Sequence, residues 1–211
     1  MFVIIHNNQV VLGPMRWNRF RFENFLEEEH EVSFTLPSSN TDTALTLSEE
    51  FKILPIQTTP NPEHNPRIEM LHGPFWEFTD THAISSYQVE PLAFEAVKNT
   101  LKAEAATHRW NKENSTVGII VADKECKFST DKDTRSLLQN ALTASATSFN
   151  WKLDSNSWVT LTNTELQIIL DAISAHIQTG FDSEYAKIAE IDAANTLNEL
   201  SSIEIVPAGV I

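Results

Sequence analysis

The chain has 211 residues, 41% apolar and 21% charged, enough for one large domain or two small ones with cores of their own. Its 29 acidic against 15 basic residues leave a net charge of −14, which argues against electrostatic capture of nucleic acid or of an anionic membrane surface. The single cysteine, Cys126, excludes an intramolecular disulfide and fits a reducing compartment, and the apolar opening is far too short for a signal peptide or a membrane span.

Residues 1–90 hold most of the prolines and aromatics and no long helical period, so they read as a β-rich N-terminal domain. A hairpin is predicted over 1–12: Phe2 to Ile5 outward, Asn7-Asn8 as the turn, Val10 to Leu12 back. Trp17, Phe20, Phe22, Phe25 and Leu26 then recur at mixed three and four spacing, which suits a short helix. Arg16, Arg19 and Arg21 are the nearest thing to a basic patch, and Glu27, Glu28, Glu29 and Glu31 cancel their long-range field. Further strands are expected at 32–36, 51–56 and 76–78. Pro60, Pro62 and Pro66 make 58–66 an extended loop. A weak echo links Gly13-Pro14 before Trp17 with Gly73-Pro74 before Trp76, where Gly-Pro suits a tight turn that drops an aromatic ring onto a core.

After Pro91 the composition turns Ala-rich. Phe94, Val97, Leu101 and Ala105 form one stripe, so a helix over 91–110 either bridges two domains or opens the second. The second domain spans 111–205. It starts with a hairpin, 117–121 against 126–128, turning through 122–125; Cys126 sits there as a half-buried strand residue. Asp131 or Asp133 caps a helix with Leu137, Leu138, Ala141 and Leu142 on its apolar face. A strand with Phe149 and Trp151 turns at 154–157 and returns through Trp158, Val159 and Leu161.

Thr162 and Glu165 form a capping box, in which hydroxyl and carboxylate satisfy each other's free backbone donors. The helix it opens carries Leu166, Ile169, Leu170, Ile173, Ile177 and Phe181 on one face and continues through Gly180 by Tyr185, Ile188 and Ile191. A second box, Thr196 with Glu199, opens a short last helix. The tail 206–211 has no partner of its own, so it is frayed or docked on another chain. The expected fold is α+β: a β-rich N-terminal domain, a bridging helix, and a small C-terminal domain of two hairpins packed with two to three helices.

Catalytic signals are sparse. His64, Glu69 and His72 have a loose metal-like composition without the four-ligand spacing of a structural site. His176 lies near the buried face of the long helix, with Asp182 and Glu184 a turn or two beyond. A nucleophilic Cys126 would need a base that the sequence does not supply. There is no Gly-x-Gly-x-x-Gly, no phosphate loop and no Gly-x-Ser-x-Gly elbow, and only five glycines occur. No catalytic residue, metal ligand or cofactor-binding residue is assigned, although paired carboxylates would leave no signature.

Taken in order, Arg109-Trp110-Asn111, the hairpin to Phe128, Ser129-Thr130-Asp131, Arg135 to Leu138, Trp151-Lys152, Trp158, Leu161-Thr162, Thr164-Glu165-Leu166, His176-Ile177-Gln178, Phe181-Asp182 and Glu184 resemble a known family. It is a domain of unknown function found in tail proteins of tailed bacteriophages, usually encoded near tail-fibre and baseplate genes. The likeness covers about 105–203. The first ninety residues are also similar to N-terminal regions of such proteins, through Val11-Leu12-Gly13-Pro14 with Trp17-Asn18 and Gly73-Pro74-Phe75-Trp76.

The resemblance implies a virion or assembly role in a phage built in the host cytoplasm, with other tail or baseplate proteins as partners, homo-oligomeric contacts, and no established enzymatic activity. The first expectation is a structural component that connects or supports a tail fibre. A tail-fibre assembly chaperone is the second, and an enzyme acting on host surface glycans a distant third. Trp110, Trp151 and Trp158 read as core aromatics or, alternatively, as hot spots on a partner-binding face. The candidate partner-binding residues are Trp17, Phe75, Trp76 and Trp110.

Overall fold

A computed structural model describes residues 1–30, 36, 43–121, 124–144, 146–153 and 157–205. The chain folds as α+β in two compact units, Met1–Pro91 and Leu92–Ile211. The strand expected at 32–36, apart from its last residue, most of the turns expected at 122–125 and 154–157, and the tail 206–211 lie outside the described residues. Among those described, no helix is long and apolar enough to cross a membrane.

The first unit is built on a sheet of order β2-β1-β4-β6-β5, with β3 (Leu45–Thr46) pairing β4 from the side. The opening hairpin forms as expected: β1 (Phe2–His6) and β2 (Gln9–Met15) meet at Asn7 and Asn8, whose φ of 52° and 59° give the paired left-handed conformation of a two-residue turn. Asparagine tolerates that region better than most side chains. β1 is apolar without alternation because both its faces are covered. Phe2 and Ile4 join Phe22, Leu26, Phe51 and Ile53 on one side; Val3 and Ile5 join Leu54 and Ala83 on the other. α1 (Arg19–Asn24), capped by the Asn18 side chain and continued by a π-helical turn at Phe25–Glu29, brings Phe22 and Leu26 to the first of these layers.

β4 (Phe51–Thr58) runs antiparallel to β1 and parallel to β6 (Ala83–Pro91), which pairs with β5 (Glu69–Phe78). The sequence reading shortens β5 to 76–78 and omits β6. It also misplaces the Gly-Pro pairs, which are irregularities inside strands and not tight turns. The register of β1 with β2 slips opposite Gly13-Pro14, that of β5 with β6 opposite Gly73-Pro74, and both Gly-Pro peptide bonds are cis.

In the second unit α2 (Phe94–Glu113) packs on α4 (Asn163–Ala193), so the helix expected to bridge at 91–110 lies within this unit. Val97, Leu101 and Ala105 are its buried stripe. Two free-standing hairpins, β7 (Thr116–Val121) with β8 (Lys124–Ser129) and β9 (Ser148–Lys152) with β10 (Trp158–Thr162), complete a core centred on α4. Ile119, Cys126, Phe128, Leu138 and Leu161 meet Leu166, Ile169 and Ile173 there. Cys126 is buried, not half-buried. α3 (Lys132–Thr143) inserts Leu138, whereas Leu137 faces solvent, since it lies beyond the margin of the stripe that Leu138 makes with Ala141 and Leu142, which also pack on this core.

The box at Thr162 forms in both directions: the Glu165 N–H donates to the Thr162 hydroxyl and the Thr162 N–H to the Glu165 carboxylate. At α5 (Leu197–Ser202) the second box is only half made. Thr196 accepts from the Glu199 N–H, while Glu199 reaches past it to the Asn195 N–H, 2.7 Å away. α4 runs unbroken through Gly180, where a Cβ would stand 3.5 and 3.6 Å from the side chains of Lys112 and Arg109.

Asp131 is the cap of α3, and its carboxylate is held well below the ordinary range, to about 2. The Ser129 hydroxyl is the main cause, followed by the Thr134 N–H at 2.8 Å; both donate to the ionised form. Because the folded pKa is depressed, the contribution is fully present above the unfolded value near 3.8 and is lost as pH falls toward 2. Asp131→Asn should therefore flatten the pH dependence of stability between these limits, measured by urea unfolding followed by circular dichroism. An unchanged slope would mean that Asp131 is not held in this way.

Candidate functional site

Of the four residues proposed from sequence for partner binding, Trp17, Phe75 and Trp76 belong to the first unit, where they do not share one face, and Trp110 belongs to the second. Trp17 lies against Phe2 and Phe22 with ring centroids 5.4 and 5.3 Å away, both edge-on, and its indole nitrogen is buried, so it is partly buried against the core of the first unit. Phe75 and Trp76 sit on β5 and point to opposite faces. Phe75 is partly exposed beside His72; Trp76 is half-buried against the Val3–Leu54 layer. Trp76 also lines a hollow of about 360 Å³ that collects Met1, Pro14, Ile56, Pro74 and Tyr87. Both Gly-Pro segments therefore end on the rim of one apolar depression within the first unit.

Trp110 and Trp158 overturn the expectation of core aromatics. They are 58% and 67% exposed, while Trp151 alone of the three packs against the second core. Phe181 and Tyr185, expected on the buried face of α4, are also exposed. Phe181 carries the Arg109 guanidinium 4.8 Å above its ring, and Tyr185 stands one turn further, 79% exposed. These outward aromatics were missed as a set.

Several ionisable groups of the second unit form a network. Arg109 donates to Glu184 and Glu113, each at 2.7 Å, and Arg135 donates to Glu113 at 2.9 Å. These contacts join α2, α3 and α4. His176 is lowered from its ordinary pKa by burial and then by the Lys112 charge, and its Nε2 lies 3.0 Å from the Ser115 hydroxyl. That hydroxyl is also 2.8 Å from the Lys112 carbonyl, so the group fastens the end of α2 to the middle of α4. Asp182 instead accepts from Gln178, and Glu184 is taken by Arg109, so neither is joined to His176.

The loose metal-like set also disperses. Glu69 accepts from the Asn65 N–H at 2.7 Å, His72 pairs with Glu90 at 2.7 Å, and among the described residues no group of three His, Cys, Asp or Glu is placed to hold a metal ion.

The second unit also holds a cleft. It measures about 680 Å³ and is lined by residues from both hairpins: 124–127 of β8, Ser157 and residues 158–160 of β10, together with Val121 and Leu153. Lys127 and Trp158 stand on its outer face; Cys126 and Val159 line its inner face.

Residues 96–206 match the model of the family described as Domain of unknown function (DUF4376), and the chain belongs to that family. No curated protein and no solved structure matches it.

Proposed function

With that membership as the premise, we propose that this protein is a structural component of a bacteriophage tail or baseplate, where it connects or supports a tail fibre by protein–protein contacts. The observation that carries the reading is the outward presentation of Trp110, Trp158 and Tyr185, at 58, 67 and 79% exposure, on the part of the chain that holds the family domain. Large aromatics supply the anchors of protein interfaces, because each removes much apolar area from water at the cost of few rotamers. The sequence resemblance to phage tail proteins supplies the setting. The net charge of −14 suits a subunit that must stay dispersed until it is assembled.

Quantitative peptide mass spectrometry on gradient-purified particles tests this reading. A fixed copy number relative to the major tail subunits, retained through high-salt washing, is the expected result. Absence from particles combined with abundance in the infected-cell lysate would overturn it in favour of an assembly chaperone.

A further inference from the structure

Two-stranded sheets leave every strand with one unpaired edge. In β7–β8 and β9–β10 alternate residues must turn their N–H and C=O groups away from the hairpin partner. Residues of both β8 and β10 line the one cleft, which brings an edge of each hairpin to the same space. Among the described residues, no backbone group of 125–128 or 158–161 makes a hydrogen bond outside its own hairpin. Open edges of this kind are templates for pairing with another chain, because each presents a row of unpaired N–H and C=O groups.

We propose that the cleft between β8 and β10 receives an extended segment of a different polypeptide, which pairs with both edges and joins the two hairpins into one five-stranded sheet. The dimensions suit it. An extended residue occupies roughly 3.3 by 4.8 by 10 Å, so a four-residue segment fills on the order of 600 Å³. The cleft measures about 680 Å³ and is walled by four residues on each side. Only an extended backbone offers donors and acceptors to both sides at strand spacing.

Side chains define the sequence of the guest. Its inward positions would lie between Cys126 and Val159 and continue the buried core, so they are apolar. Its outward positions would lie between Lys127 and the pair Trp158 and Thr160, so they are acidic or hydroxyl-bearing. Glu125 does not oppose this, because its carboxylate is folded back over Gly118 of β7. In-register parallel pairing of β8 with β8 would set Lys127 against Lys127, which disfavours that form of a second copy as the guest. The inference does not depend on residence in a virion.

The test is hydrogen–deuterium exchange on the full chain with a capped hexapeptide, Val-Glu-Val-Thr-Val-Glu, and its fully N-methylated counterpart, which keeps the side chains and loses the donors. The first peptide should slow exchange at both 125–128 and 158–161 by about tenfold or more at saturation, and the second should not. Protection at neither edge, or equal binding of the two peptides, would overturn the proposal. Protection of both edges without peptide, rising with protein concentration, would also overturn it and assign the cleft to a second copy. No variant is needed, so no result can be confused with a failure to fold.

Discussion

Ile173→Ala should destabilise the second unit by about 3–5 kcal/mol, whereas Ile168→Ala, five residues earlier on the same helix, should cost less than about 1 kcal/mol. Ile173 is fully enclosed by the cluster that joins both hairpins to α4, and truncation removes the transfer energy of the lost carbons and leaves a cavity. Ile168 is 50% exposed and has little burial to lose. The helix propensity change is the same at both sites, so the difference reports packing alone. Urea unfolding followed at 222 nm, with the slope compared between variants, measures both effects. Equal losses at the two positions would mean that α4 is not seated on the hairpins as described.

The contrast also shows what the sequence could and could not disclose. The stripe Leu166, Ile169, Leu170, Ile173 and Ile177 was legible because a period near 3.6 has no other reading over that length, and all five are buried. Phe181 was assigned to the same stripe, yet beyond Gly180 it is exposed beneath Arg109. Apolar character alone cannot separate a core phenylalanine from one that serves as the platform for a cation.

Trp158 was wrongly placed although the signal was present. In the run Trp158 to Thr162, Val159 and Leu161 turn inward, and strand alternation then puts Trp158 outside. Trp110 was recoverable in the same way. It lies nine residues beyond Leu101, about two and a half turns, and so on the far side of α2 from the buried stripe. In both cases residue size outweighed position.

Other features had no local signature. β6 escaped because Ser85, Ser86 and Gln88 interrupt its apolar pattern, and besides its hairpin partner β5 it is held by parallel pairing with β4, which lies some way back in the sequence. The Gly-Pro echo was visible, but its meaning was not, since a bulge and a tight turn call for the same residues. The cleft between the hairpins was illegible for a different reason. Each hairpin was readable by itself, while the approach of β8 to β10 is fixed by the core beneath them.

Gly13→Ala is expected to cost about 3 kcal/mol or more in the first unit. Gly13 has φ of +111°, a conformation that L side chains rarely adopt. A Cβ there would also stand 2.7 Å from the Phe2 carbonyl oxygen and 3.1 Å from the Val3 Cα. These are backbone atoms of β1, the strand buried on both faces, so relief requires shifting the centre of the sheet. Gly118→Ala is the informative comparison, because there the close atom, at 2.8 Å, is the Glu125 Oε1, the far end of a flexible side chain that can swing aside. Its effect should stay within about 1 kcal/mol, since alanine's Cβ then meets open space and glycine carries no advantage in a strand. Urea unfolding with residue-resolved hydrogen exchange reads both variants: amides of 2–6 should lose protection in Gly13→Ala while those of α4 keep it. If Gly13→Ala proved no more costly than Gly118→Ala, the close approach of β2 to β1 at the bulge would be wrong.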